Sequence, residues 1–225
     1  MIGIAGDTHR THDIEKLSNK NFNNWFMYNY LIICGDFGFV WDQEQSKEET
    51  WWYDWFDKKP YKVLFVDGNH ECHDRLDNYP VEEWNGGKIH KISDNVYHLM
   101  RGQVFTIEDK KLFTMGGAES VDKMNRTEGL SWWARELPSY AEYEEGMKNL
   151  DKHNWKVDYV LTHTCPLKIF HHVVENGKAT NDLEKYLDNI DDKLKFKQWF
   201  FGHFHQDKSI NDGKYKCVYN NIITI

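Results

Sequence analysis

Cysteine is scarce in this sequence, and its few copies form no recognisable pattern. The four cysteines include no C-x-x-C pair, so we expect buried, reduced thiols rather than a disulfide framework. No apolar run approaches the length that crosses a bilayer, so no membrane partner is expected. The first strand-like run begins at Met1 and leaves no room for a signal peptide, which favours a cytoplasmic protein.

Basic residues are also fewer than acidic residues in this sequence. The chain has 28 Lys and Arg against 36 Asp and Glu, a formal net charge of −8. Extended nucleic acid is therefore a disfavoured partner, because sequence-independent binding needs a basic surface. A phosphorylated substrate stays compatible with this charge, since bound divalent ions invert the local potential. Repeats and Pro/Gly/Ser-rich linkers are absent from the sequence, and 225 residues suit a single domain over 1–225.

Short apolar runs alternate with amphipathic stretches along the chain. Strands are predicted at 2–5, 31–34, 62–66, 111–115, 157–161 and 198–201, with further strand-like stretches at 96–107 and 215–225. Ser46 with Glu49 predicts one helix start, and Ser139 with Glu142 predicts a second. An apolar stripe over 183–190 predicts a third helix. This alternation indicates an α/β fold with helices covering the sheet faces.

Polar clusters follow five of the predicted strands. They read Gly-Asp-Thr-His at 6–9, Gly-Asp at 35–36, Gly-Asn-His-Glu at 68–71, Thr-His at 162–163 and Gly-His-Phe-His at 202–205. The carboxyl ends of strands are where open α/β sheets bind ligands, so the five clusters can meet at one crevice. Asp and His donors suit ions such as Mn, Fe and Zn. Each cluster alone is weak, but all five in order rarely arise by chance.

In content and order these clusters resemble the calcineurin-like metallophosphoesterase family over nearly the whole chain. The resemblance implies a four-layer α/β/β/α sandwich with two divalent metal ions at the strand ends. It assigns one ion to Asp7, His9 and His205, and the other to Asn69, His163 and His203. It also implies that Asp36 bridges the two ions and that His70 contacts the scissile phosphate and helps the leaving group depart.

That resemblance predicts a hydrolase that cleaves a phosphomonoester or phosphodiester by direct attack of a hydroxide held between two ions. Manganese is the expected metal, and iron, zinc, nickel and magnesium are the alternatives. The expected substrate is a phosphorylated small molecule, a nucleotide or a phosphoprotein. The alternatives are a Ser/Thr-type protein phosphatase or a nucleotide or nucleic-acid-end phosphoesterase, and a more remote one is a non-catalytic metal-binding scaffold. The sequence leaves the oligomeric state open.

Two regions depart from the protein-phosphatase branch or carry extra polar residues. The second cluster lacks the arginine that this branch has, and Arg10 replaces a glycine in the first. Arg10 is a candidate phosphate contact, with a solvated surface arginine as the alternative.

The segment 116–139 resembles a loop of small bacterial and phage-type family members. Within it, Arg126 is a candidate phosphate or substrate contact, and Trp132 or Trp133 is a candidate wall that stacks on a base or ring, with packing of both tryptophans in the core as the alternative.

Overall fold

The computed structural model describes residues 1–175 and 181–225, in which strands of two sheets alternate with helices. The strands are β1 (Ile2–Ala5), β2 (Tyr30–Cys34), β3 (Lys62–Val66), β4 (Val81–Trp84), β5 (Gly87–Lys91), β6 (Val96–Leu99), β7 (Gln103–Ile107), β8 (Lys110–Met115), β9 (Tyr159–Thr162), β10 (Gln198–Phe201), β11 (Lys208–Ile210), β12 (Tyr215–Cys217) and β13 (Ile223–Thr224). The helices are α1 (Lys47–Asp57), α2 (His73–Leu76), α3 (Tyr140–Lys152), α4 (Leu167–Val173) and α5 (Asp182–Lys193). Short 3-10 turns lie at Ile14–Leu17, Trp25–Met27, Lys123–Asn125 and Ala134–Glu136.

Strand pairing separates the two sheets. The first has the order β13-β1-β2-β3-β6-β5-β4, and the second has the order β11-β12-β10-β9-β8-β7. The strands β1, β2, β3 and β6 run parallel in the first sheet, as do β8, β9, β10 and β12 in the second. The carboxyl ends of each parallel set therefore share one edge, and ligand-binding loops gather at such edges.

In the described part of the chain, three apolar cores separate four layers. Alternate residues of the central strands, such as Ile4, Leu64 and Phe200, pack between the two sheets. The residues that alternate with them point to the outer faces. Those of the first sheet pack against α1, and those of the second sheet pack against α3, α4 and α5. A strand whose side chains alternate between two buried faces needs apolar residues at every position, which explains the continuous apolar runs. The predicted four-layer α/β/β/α sandwich is confirmed.

The strand-like stretch 96–107 contains two strands, β6 and β7, rather than one continuous strand. Here β6 belongs to the first sheet and β7 to the second. The chain turns between them at Gly102, whose φ of +71° lies in the region that side chains rarely adopt. The predicted helix starts are confirmed, because Ser46 with Glu49 and Ser139 with Glu142 each form a reciprocal capping box.

Candidate metal centre

Side chains from the five polar clusters meet at the strand ends. Among residues 1–175 and 181–225, three overlapping groups each have ligand atoms within 4.8 Å of one another. They consist of Asp7, His9 and His205; of His9, Asp36 and His70; and of Asp7, Asp36 and His163. The first sheet supplies the loops after β1, β2 and β3, and the second supplies those after β9 and β10. The site therefore lies across the junction of the two sheets.

Asp36 lies at the centre of this cluster. Its Oδ2 atom is 3.1 Å from Nε2 of His9 and 3.2 Å from Nε2 of His163, and all three side chains are buried or nearly so. Its Oδ1 atom accepts a hydrogen bond of 2.9 Å from the main-chain N–H of His70. One carboxylate oxygen thus faces an imidazole from each sheet.

The opposite ring nitrogens of both imidazoles have partners that define the tautomer. Nδ1 of His163 is 2.8 Å from the main-chain oxygen of Cys34, which can only accept, so this nitrogen donates. Nδ1 of His9 is 2.8 Å from the Asp13 carboxylate, which accepts in the same way. In the neutral rings each Nε2 therefore carries a lone pair directed toward Asp36. Lone pairs that point at a carboxylate repel its negative charge unless positive charge lies between them. A cation bound at this point would supply that charge.

Asn69 contributes an amide oxygen with a fixed direction. Its Oδ1 atom lies 3.1 Å from Nε2 of His163 and 3.1 Å from Nδ1 of His203. Its amide nitrogen donates to Ser120 Oγ at 3.0 Å, and that hydroxyl donates to Glu136 at 2.9 Å. Ser120 thereby holds the amide so that oxygen, not nitrogen, faces the histidines. Sequence reasoning missed Ser120, because nothing in the spacing links it to the third cluster.

The remaining predicted ligands lie beside Asp7. The Asp7 carboxylate accepts the main-chain N–H of His203 at 2.9 Å, and its Oδ1 atom is 3.9 Å from Nε2 of His205. The His205 ring is half exposed and stacks on Tyr219, with centroids 4.8 Å apart. Behind Asp7, the buried ammonium of Lys16 donates to three main-chain oxygens, those of Gly6, Asp7 and Tyr219.

The ligand loops hold several residues in an unusual backbone conformation. Positive φ angles of 41° to 67° occur at Asp7, His9, Asp36, His203 and His205. For residues with a side chain, each such conformation costs about 1–3 kcal/mol and persists only where the surroundings enforce it. Five of the seven predicted ligands share this feature, which is typical of functional sites. It could not be read from the sequence, because none of these residues is glycine.

Glycines next to the ligands leave room for them. A Cβ atom at Gly35 would overlap the His163 ring, and one at Gly68 would overlap the Asp36 carboxylate. These two positions therefore admit no side chain while the donors keep their arrangement.

Burial and mutual charge shift the pKa values of the donors. Burial raises the pKa of Asp7 to about 7. Burial opposes ionisation of Asp36 too, but His163 beside it holds the pKa of Asp36 well below its usual range. Burial lowers the basicity of His163, yet the Asp36 carboxylate outweighs it and raises the pKa of His163 to about 10. The Asp36 carboxylate thus stabilises positive charge at the ring nitrogens that face it, and a divalent cation that displaces the ring protons would fit this donor set.

His70 lies at the rim of the cluster. Its ring stacks on Trp41, with centroids 5.5 Å apart and 10° between the planes. A guanidinium nitrogen of Arg126 is 3.0 Å from its Nδ1 atom. Burial, together with the Arg126 charge, lowers the pKa of His70. The segment 116–139 therefore reaches the site through Arg126.

The other two candidate substrate contacts lie elsewhere. The Arg10 guanidinium is 2.9 Å from the Asp42 carboxylate and 3.0 Å from the Ser46 hydroxyl, so its charge is already paired at the start of α1. The centroid of the Trp132 ring lies 5.0 Å from the Lys123 ammonium. A small cavity opens beside His70, and Trp132 does not line it. Trp133 and Trp41 line that cavity instead.

Carboxylate, amide and imidazole donors at the strand ends of a two-sheet sandwich define a candidate metal-dependent phosphoesterase. The family model described as calcineurin-like phosphoesterase matches residues 1–207. The chain belongs to the calcineurin-like phosphoesterase family, as its five clusters predict. The predicted enzyme class, a metal-dependent phosphoric ester hydrolase, agrees with this family.

Individual relatives are more distant. A lariat debranching enzyme from Schizosaccharomyces pombe is 26% identical over 192 residues, which cover 74% of this chain and 39% of that protein. The chain thus spans about two fifths of this relative's length. A crystal structure of a phosphopantetheinyl hydrolase from Mycobacterium tuberculosis aligns over 97% of this chain and 89% of its own, with a TM-score of 0.48 and 16% identity. Within 1–175 and 181–225, no helix is long and apolar enough to cross a membrane.

Proposed function

We propose that this chain is a dinuclear phosphoesterase that hydrolyses a phosphomonoester or phosphodiester. Asp7, His9 and His205 would hold one divalent ion, and Asn69, His163 and His203 would hold the other. Asp36 would be shared between the two. The observation that carries this assignment is the position of Asp36 Oδ2, at 3.1 Å and 3.2 Å from imidazole nitrogens that belong to the two different sets.

When bound, two such ions would acidify a water molecule and offset charge on the phosphoryl oxygens. The chain's own residues do the rest. The shorter of the two Arg126 contacts, at 3.0 Å from Nη1 to Nδ1 against 3.4 Å from Nη2 to Nε2, favours donation to Nδ1, which would leave the proton of a neutral His70 ring on Nε2. That proton is available to the departing oxygen of the ester, and stacking on Trp41 fixes the plane of the ring. His70 acting as a general acid contributes about 10²–10⁴-fold.

We also propose manganese as the native metal, with iron, zinc, nickel and magnesium as competitors, because the Asp, Asn and His donors suit several first-row ions. We place the chain, as one domain over 1–225, in the cytoplasm. A phosphorylated small molecule or nucleotide is the proposed substrate class.

A second candidate function acts on a nucleic-acid phosphodiester. Similarity to a lariat debranching enzyme favours it. The net charge of −8 opposes tight binding of a long strand, so recognition would be confined to the few groups near the scissile bond. A protein-phosphatase function has less support, because the second cluster lacks the arginine of that branch.

Metal analysis combined with two generic substrates tests the proposal. The purified chain should hold about two ions and hydrolyse 4-nitrophenyl phosphate or bis(4-nitrophenyl) phosphate with Mn, Zn, Fe or Mg. His70→Ala should keep both ions and lose about 10²–10⁴-fold in kcat. His171→Ala, an exposed histidine on α4, serves as the matched control and should behave as wild type. A chain that binds ions but turns over neither ester with any cation would instead support the scaffold alternative.

A further inference from the structure

A small cavity opens beside His70. It has a volume of about 210 Å³ and is lined by Trp41, His70, Arg126, Ser131 and Trp133. Sites for drug-sized ligands occupy about 300–1,000 Å³, so this cavity suits one ring system rather than a large ligand. Because the proposed function places His70 next to the departing oxygen, the cavity lies on the leaving-group side of the scissile bond.

The walls of the cavity include planar groups that are held by hydrogen bonds and ion pairs. Trp41 lies parallel to His70, and its main-chain N–H donates to the Glu49 carboxylate at 2.9 Å. Glu49 is fully buried and forms two 3.0 Å contacts with the Arg75 guanidinium. The Arg126 guanidinium is anchored by Asp122 at 2.8 Å. These walls are therefore preorganised to receive a flat partner.

Trp133 adds an unused hydrogen-bond donor. Only 5% of this residue is exposed, and its indole N–H has no acceptor in the described parts of the chain. Trp133 also lies outside the three apolar cores formed by those residues. Buried donors in native proteins are nearly always paired, and an acceptor delivered by a ligand would satisfy this one.

We propose that this cavity is a leaving-group subsite for a planar heteroaromatic ring of nucleobase size. The ring lies among Trp41, Arg126 and Trp133, and a ring nitrogen or carbonyl oxygen accepts from Trp133. An alkyl group would neither stack on the planar walls nor accept a hydrogen bond from the Trp133 indole N–H. A site that keeps a buried donor for one substrate discriminates strongly against analogues without the acceptor. This inference rests on the proposed function for its placement relative to the scissile bond.

Indole N–H signals test binding without any turnover. In ¹⁵N-labelled protein, Trp133→Phe removes one indole signal and so identifies it. Titration with adenosine or uridine, which carry no phosphate, should shift that signal, whereas ribose should not. Trp133→Phe keeps an aromatic ring and should weaken nucleoside binding by about tenfold. Trp51→Phe, which alters an exposed tryptophan on α1, should leave the affinity unchanged.

Turnover separates failure of the subsite from failure of the proposed function. With metal present, Trp133→Phe should reduce kcat/KM for a nucleoside monophosphate about tenfold more than for glycerol 2-phosphate. Equal losses on both esters, or a Trp133 signal that ribose shifts as much as adenosine does, would overturn the subsite. Absence of turnover on every ester would overturn the proposed function, and the titration would still decide the subsite. If Trp133→Phe fails to fold, the titration of wild type against Trp41→Leu decides it, with loss of nucleoside binding expected.

Discussion

The guanidinium of Arg126 lies against the imidazole of His70, with Nη1 3.0 Å from Nδ1 and Nη2 3.4 Å from Nε2. Arg126 also bonds the Asp122 carboxylate and the main-chain oxygen of Ser131, so the residue is anchored from its own segment. The Arg126 guanidinium, fixed beside the proposed general acid, can contact both the His70 ring and a phosphate oxygen.

Replacement of Arg126 tests this placement. Arg126→Met should lower kcat/KM by about 10²-fold, because a donor directed at developing charge is lost, while metal content stays constant. Arg126→Lys should recover only part of the loss, since an ammonium lacks the planar two-pronged geometry. Lys148→Met, which removes an exposed cation on α3, is the control. Metal loss in parallel with activity would contradict a role confined to substrate.

Asp36 should be the residue on which both ions depend. Asp36→Asn keeps the size of the side chain but removes its charge, and we expect occupancy of both ions to fall. Asp7→Asn should affect mainly the ion that it shares with His9 and His205. Mass spectrometry of the native protein and metal analysis after dialysis distinguish one lost ion from two. Asp54→Asn, on the exposed face of α1, should retain both.

Much of this site could be predicted because each donor directly follows a short buried strand, so local pattern and position coincide. The contacts that orient the donors could not be predicted. Asp13 and Ser120 hold His9 and Asn69 through single hydrogen bonds that leave no trace in the spacing. The exposed edge strand β4 was also missed, because its residues are mostly exposed and show no apolar alternation.

Lys16 is a positioning residue that the sequence did not indicate. Its buried ammonium bonds the main-chain oxygens of Gly6, Asp7 and Tyr219. Lys16→Met would leave these oxygens without their donor, and we expect a loss of about 2–4 kcal/mol in the free energy of unfolding. Metal affinity should weaken as well, because the main chain of Asp7 loses its support. Urea denaturation measures the first effect, and the exposed Lys20→Met should show neither.

Glu184 gives the stability a defined pH dependence. Burial raises its pKa to about 7 from the ordinary 4.5. The folded chain therefore keeps a proton that the unfolded chain releases between pH 4.5 and 7, and the free energy of unfolding falls as the pH rises through that interval. Glu184→Gln should make this slope shallower, because one of the carboxyls with a raised pKa is gone, and should be more stable than wild type at pH 8 by about 1–2 kcal/mol. Chemical denaturation of both proteins from pH 4.5 to 8 measures the free energy of unfolding at each pH, and Glu44→Gln, at an exposed position, is the control. Identical slopes in wild type and Glu184→Gln would refute the assignment.

The position of Asp36 between His9 and His163 has a consequence for assembly. Asp36 and His9 follow strands of the first sheet, and His163 follows a strand of the second. In the proposed assignment neither half of the sandwich carries a complete set of donors, so a partly folded chain would offer no tight site for a cation. Metal binding would then follow the packing of the two sheets against each other rather than precede it.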